Sequence, residues 1–130
     1  GEHNDCVSMA KQFADRTHFV HLRSCYIFPN GNFTEASHLG GRGHLIELCR
    51  IFEKAEQEGK CNSGRRLPMR VDHGMTFTDE PGGVFDESNH GHNAGYTLLG
   101  RMFAMGQIQG VIATVDDELG IEYKQPGFYD

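Results

Sequence analysis

The sequence has no Cys-x-x-Cys pair, no apolar run approaching the length of a membrane span, and fewer basic than acidic side chains, 12 against 18. Each absence narrows the function. Cys6, Cys25, Cys49 and Cys61 are too sparse and irregular for a secreted disulfide scaffold, so reduced thiols in a cytoplasmic protein are expected. With neither a spanning run nor a signal-peptide pattern, no membrane partner is expected. A formal charge of -6 argues against a nucleic-acid partner, because phosphate binding needs a basic face. An anionic small substrate stays open, since a few arginines and a cation can reverse the field inside a cleft. At 130 residues and 38% hydrophobic, the chain supplies one small core and a single domain, with no repeat or linker.

What the chain does have is histidine, eight in all, clustered in and around loops, which points toward metal or acid–base chemistry. Residues 4–15 carry Val7, Ala10, Phe13 and Ala14 at helical spacing behind Asn4 or Asp5 as a cap. A strand is expected over 17–22, followed by a loop to about Gly43. Leu45, Leu48, Cys49, Phe52 and Ala55 mark an amphipathic helix over 44–58 that stops at Gly59. A second strand is expected at 67–72, a long glycine-rich loop over 73–95, a helix over 96–109, and a short last strand in "GVIAT". This alternation of strands and helices means βαβ units around a parallel sheet, an α/β protein.

In such sheets, ligands bind beyond the carboxyl ends of the strands. Both expected strands end in chemistry there: His21 and Arg23 on the first, Asp72 and His73 on the second. Side chains alternate along a strand, so His21 shares a face with Arg23, and Arg70 with Asp72. Neighbouring strands of this pattern bring His21 and Asp72 within reach of one divalent ion.

"HFVHLRS" (18–24), "FTEASHL" (33–39), "LPMRVDHG" (67–74) and "NAGYTLLGR" (93–101) resemble, in that order, the motifs of the mannonate dehydratase family. The resemblance runs from about Asn4 to about Gly110. It implies the C-terminal βα units of a xylose-isomerase-like TIM (β/α)8 barrel, and hence a partial barrel, because a whole one needs about 250 residues. The chain is therefore expected to be a fragment, with a metal cysteine and a further metal histidine upstream of Gly1. Residues 111–130 match the family poorly and are expected to form a divergent tail.

The resemblance also implies roles. His21 and Asp72 would be metal ligands and His73 an active-site residue beside them. Arg23, His38 and Arg101 would meet the substrate, with Arg23 the best placed of the three. Tyr96 would be a proton-transfer group, and which of His73 and Tyr96 is acid and which is base stays open. The implied reaction is dehydration of D-mannonate to 2-keto-3-deoxy-D-gluconate in hexuronate breakdown, with Mn2+ or Fe2+ as cofactor and room for a homo-oligomer of the full-length protein. A different metal-dependent barrel enzyme acting on sugars, such as an isomerase, and an inactive fragment are the alternatives. The sequence departs from the family at Val71, where proline is usual, at Arg42 and His44, and through the loop 75–92.

Blander readings stand beside these. A lone histidine such as His21 is more often a hydrogen-bonded core residue. Asp72-His73-Gly74 can be an ordinary turn, and Tyr96 a packed aromatic. His38 is balanced between touching the substrate and supporting the loop. His90 and His92 are read as a solvated loop, and Cys25 as an inert thiol.

Overall fold

The computed structural model describes residues 4–72 and 98–123. In chain order these form α1 (Cys6–Phe13), β1 (Val20–Leu22), β2 (Cys25–Ile27), β3 (Phe33–Glu35), α2 (Leu45–Gln57), β4 (Met69–Val71) and α3 (Leu98–Leu119). β1 pairs with β4 in parallel, with His21 opposite Arg70 and Leu22 opposite Val71. The expected α/β organisation, with the crossover through α2, is present. β2 and β3 form a separate antiparallel hairpin.

The local chemistry explains the helix bounds. Asp5 caps α1, its carboxylate accepting from the Val7 and Ser8 backbone N–H groups at 3.0 and 3.1 Å. The helix tightens into a 3-10 turn at Ala14–Arg16. α2 ends as expected. Gly59 takes a positive φ of 66°, and its N–H reaches back to the Glu56 carbonyl at 2.9 Å. The two parallel strands are shorter than the alternation suggests, three residues each.

Two expectations are corrected. The stretch expected to be a loop up to Gly43 contains the β2–β3 hairpin, turned by Phe28 to Asn32, where Gly31 adopts φ 85° and the Phe28 N–H bonds the Asn32 carbonyl at 2.8 Å. Further on, no strand forms at "GVIAT", because α3 runs unbroken through Gly106 and Gly110 to Leu119. Ala104, Ile108, Val111 and Val115 recur at helical spacing, and all four are buried. Packing on that stripe overrides the β-branched preference of Val111 and Ile112 and the roughly 1 kcal/mol that a mid-helix glycine costs. The fused helix reaches 22 residues, and an 18-residue window within it has mean hydropathy 1.2, which by length and composition matches a membrane span. Its buried stripe packs on α2, while 22% of that window is buried among the described residues.

The core is continuous across the layers. Ala10 and Ala14 meet Phe52, Ala55, Cys61 and Leu67 on one side. Leu22, Leu45 and Cys49 meet Ile108, Val111 and Val115 on the other. Val20, Leu48 and Met69 belong to both groups. Burial pushes the Cys49 thiol up to about 12 and the Cys61 thiol upward, which makes both packing residues rather than reagents.

One polar pair interrupts this layer. Glu53 of α2 and Asp116 of α3 share a hydrogen bond, and burial, followed by the Asp116 and Glu56 carboxylates, pushes Glu53 up to about 7. The Asp116 carboxyl is also raised by burial, and Arg66 opposes the rise in both. A carboxyl whose folded pKa is raised keeps its proton while the unfolded chain releases it. Stability from this group therefore falls as pH climbs from about 4.5 through about 7. Glu53→Gln should gain about 1–2 kcal/mol over the parent at pH 8, after allowance for solvent screening, and little at pH 5. Equilibrium denaturation at the two pH values checks this.

Candidate metal and substrate site

The carboxyl ends of β1 and β4 carry the chemistry. Val20 and Leu22 belong to the core, so His21 between them turns to the opposite face. Asp72 follows β4, and its N–H bonds the Leu22 carbonyl at 3.1 Å, continuing the parallel ladder. Parity then puts Asp72 on the face of His21. His21 Nδ1 lies 3.7 Å from Asp72 Oδ1, with the two side chains 48% and 27% exposed. The Phe19 ring meets the imidazole edge-on at 4.7 Å.

Arg23 joins them. Its guanidinium is ion-paired and hydrogen-bonded to Glu35 of β3, and Nη1 stands 3.9 Å from Asp72 Oδ2. The Phe33 ring lies 5.3 Å from the guanidinium carbon, in cation–π range. Cys25 opens β2 next to this group. Burial, and then the Glu35 carboxylate, holds its thiol above the usual range.

His38 occupies a different layer. It is 2% exposed, its Nε2 lies 2.9 Å from the Leu22 carbonyl, and its N–H bonds Gln107 Oε1 of α3 at 3.0 Å. A carbonyl only accepts, so Nε2 carries the proton. The imidazole thus shares with Asp72 N–H the carbonyl that ends β1. This geometry suits the supporting role of the two that the sequence leaves open. Arg101 lies elsewhere, in a groove of about 730 Å³ along β4, shared with Arg70, Met105 and Ile108 and with no residue of β1 in its walls. His73, Tyr96, His90 and His92 lie outside the described residues.

A divalent ion fits part of this arrangement. An imidazole nitrogen and a carboxylate oxygen side by side at an open strand end form a donor pair for a borderline transition metal. No group of three or more His, Cys, Asp or Glu side chains suited to a metal occurs among the described residues. The pair could supply two donors toward such an ion.

Sequence reasoning missed Glu35 and the hairpin that carries it. The signal was Asn30-Gly31 between "CYIF" and "NFTE", a turn dipeptide between apolar and β-branched residues. The return segment 36–43 then hugs the backbone after β1. The Ala36 N–H bonds the Ser24 carbonyl at 2.9 Å, and the Arg42 N–H the Cys25 carbonyl at 3.2 Å. A Cβ at Gly41 would overlap the Ser24 hydroxyl and stand 2.9 Å from Ala36 Cβ, and one at Gly43 would stand 2.8 Å from the Arg23 carbonyl. Gly41→Ala is expected to cost about 1–3 kcal/mol by overpacking, whereas Gly106→Ala, whose added Cβ meets nothing within 4 Å, is expected to gain up to about 1 kcal/mol by removing a mid-helix glycine. Thermal denaturation of the two variants makes the comparison.

Residues 1–121 match the family described as D-mannonate dehydratase (UxuA). Mannonate dehydratase 2 of Agrobacterium fabrum is 36% identical over 118 residues, covering 89% of this chain and 28% of the relative. Mannonate dehydratase of Saccharophagus degradans is 35% identical over 115 residues, with 87% and 28% covered. That of Brucella canis is 32% identical over 114 residues, with 87% and 26% covered. The chain thus spans little more than a quarter of the length of these relatives.

Proposed function

The chain belongs to the D-mannonate dehydratase family, and from that premise we propose that it forms C-terminal βα units of a TIM barrel that dehydrates D-mannonate to 2-keto-3-deoxy-D-gluconate. The observation that carries this reading is the 3.7 Å approach of His21 to Asp72 at the ends of two parallel strands. A barrel gathers its site at that end.

In this reading His21 and Asp72 are two ligands of a manganese or ferrous ion, and the remaining ligands come from strands beyond this chain. When bound, the ion supplies Lewis acidity that lowers the cost of negative charge building on the substrate carboxylate. Arg23, whose side chain is 39% exposed, faces the same mouth and meets the sugar-acid oxygens. His73 and Tyr96 exchange the protons, one taking the proton alpha to the carboxylate and the other donating to the departing hydroxide, a division of labour worth about 10²–10⁴-fold in rate. A tyrosine serves as the base at neutral pH only beside a cation that lowers its pKa from about 10. His38 supports β1 from beneath, and Arg101 contributes from the β4 side. The protein works in the cytoplasm on this small anionic substrate.

The test uses the full-length protein carrying this chain, incubated with D-mannonate and Mn2+ or Fe2+ at neutral pH, the product being followed by NMR. Formation of 2-keto-3-deoxygluconate, its loss on chelation, and a fall of about 10²-fold or more in kcat/KM for His21→Ala and Asp72→Ala are expected. No product with either metal, or His21→Ala and Asp72→Ala variants as active as the parent, overturns the assignment.

A further inference from the structure

We propose that Glu53 and Asp116 form a pH-sensitive clasp between α2 and α3: the two carboxyl groups hold one proton between them, and when it leaves, the C-terminal end of α3 loosens from α2. The clasp stands apart from the strand ends, and its test needs neither metal nor substrate.

The end of α3 meets one face of α2. Arg50, Glu53 and Gln57 stand at i, i+3 and i+7 on that helix and so share a side. Arg50 bonds the Glu118 carboxylate at 2.7 and 3.0 Å, and Gln57 Nε2 donates to the Leu119 carbonyl at 3.4 Å. Between these two contacts Glu53 hydrogen-bonds Asp116. The outer contacts are indifferent to pH near neutrality. Pairing raises Arg50 and lowers Glu118, and an amide does not titrate.

The middle contact is different. An ionised carboxylate only accepts, so two carboxyl groups can hydrogen-bond only while one of them is protonated. Asp116 is 5% exposed, and its Oδ1 has no hydrogen-bond partner among the described residues, so a second charge there would be poorly solvated. Cys49, one turn before Glu53, and Val115, next to Asp116, are 0 and 1% exposed. The last turn of α3 holds no basic residue, and the partial negative charge of that helix end adds to the cost.

The groups around the pair pull in both directions. Glu56 of α2 adds a third carboxylate, which accepts the Leu67 N–H. The Cys49 and Cys61 thiols are held up by burial first and then by these acids, and so stay neutral. Arg66 ahead of β4, Arg70 on it and Arg101 on α3 line a groove with Glu53 and favour its ionised form, Arg66 acting on both acids. Burial outweighs them. Together with the Asp116 and Glu56 carboxylates it pushes Glu53 up to about 7. Below that pH the proton stays and the clasp is closed. Above it two negative charges face each other in the seam, and the opened state, where water reaches them, gains weight.

The experiment follows amide hydrogen exchange by mass spectrometry in the full-length protein carrying this chain, at pH 6 and pH 8, with rates corrected for the intrinsic pH dependence of exchange. The parent is compared with Glu53→Gln and with Asp116→Asn, in which a side-chain amide donates to the remaining carboxylate and has no proton to lose. Protection over residues 108–119 is expected to fall about 10-fold in the parent between the two pH values, and less than about 2-fold in either variant. α1, a helix of eight residues, opens by fraying without parting the pair, so its protection is expected to stay level. Three results overturn the proposal. One is equal protection of residues 108–119 at both pH values in the parent. Another is a fall in the variants as large as the parent's. The third is an equal fall in α1, which would mark a loosening of the whole fold.

Discussion

The parallel register of β1 and β4 is the constraint on which everything at the site depends. Side chains alternate, so a slip of one residue would send Asp72 to the core face and part it from His21. Two three-residue strands cannot hold a register by themselves. It is held from below, where Val20, Leu22, Met69 and Val71 press into the helix layer, and at the strand end, where the Leu22 carbonyl meets both Asp72 N–H and the His38 ring. Apolar packing therefore decides which polar groups face each other, and the hydrogen bonds fix the distance.

Above that plane Arg23 organises the neighbouring charges. Arg23 lies between the carboxylates of Glu35 and Asp72, and only Glu35 is nearly withdrawn from solvent. The short-range pair with Glu35 is the stronger of the two, because it combines a charge-assisted hydrogen bond with low exposure.

The sequence made the helices and the strand parity legible because both rest on periodicity that burial enforces. Leu45, Cys49, Phe52 and Ala55 read as one stripe and are buried as one. His21 and Asp72 could be placed on one face from alternation alone. Three features were not legible. The hairpin hid among Gly, Asn and Pro, which read as a loop, although Asn30-Gly31 is a turn signal. "GVIAT" read as a strand because its β-branched residues match that pattern, and only the partner stripe on α2 shows that a helix buries them better. Glu35 looked like one more surface acid, since nothing local reveals that β3 folds back onto the residue after β1. The last two misses are cases of tertiary packing outranking local preference, and the first is a turn signal passed over.

The same packing explains what the described residues leave uncovered. The early turns of α3 expose Leu98, Leu99, Met102 and Met105, at 72, 56, 60 and 49%. The groove bearing Arg101 runs along the β4 edge that β1 does not fill. Arg101 and Met105 of α3 line that groove with Met69, Arg70 and Val71 of β4, so among the described residues an apolar helix end lies beside one side of the strand.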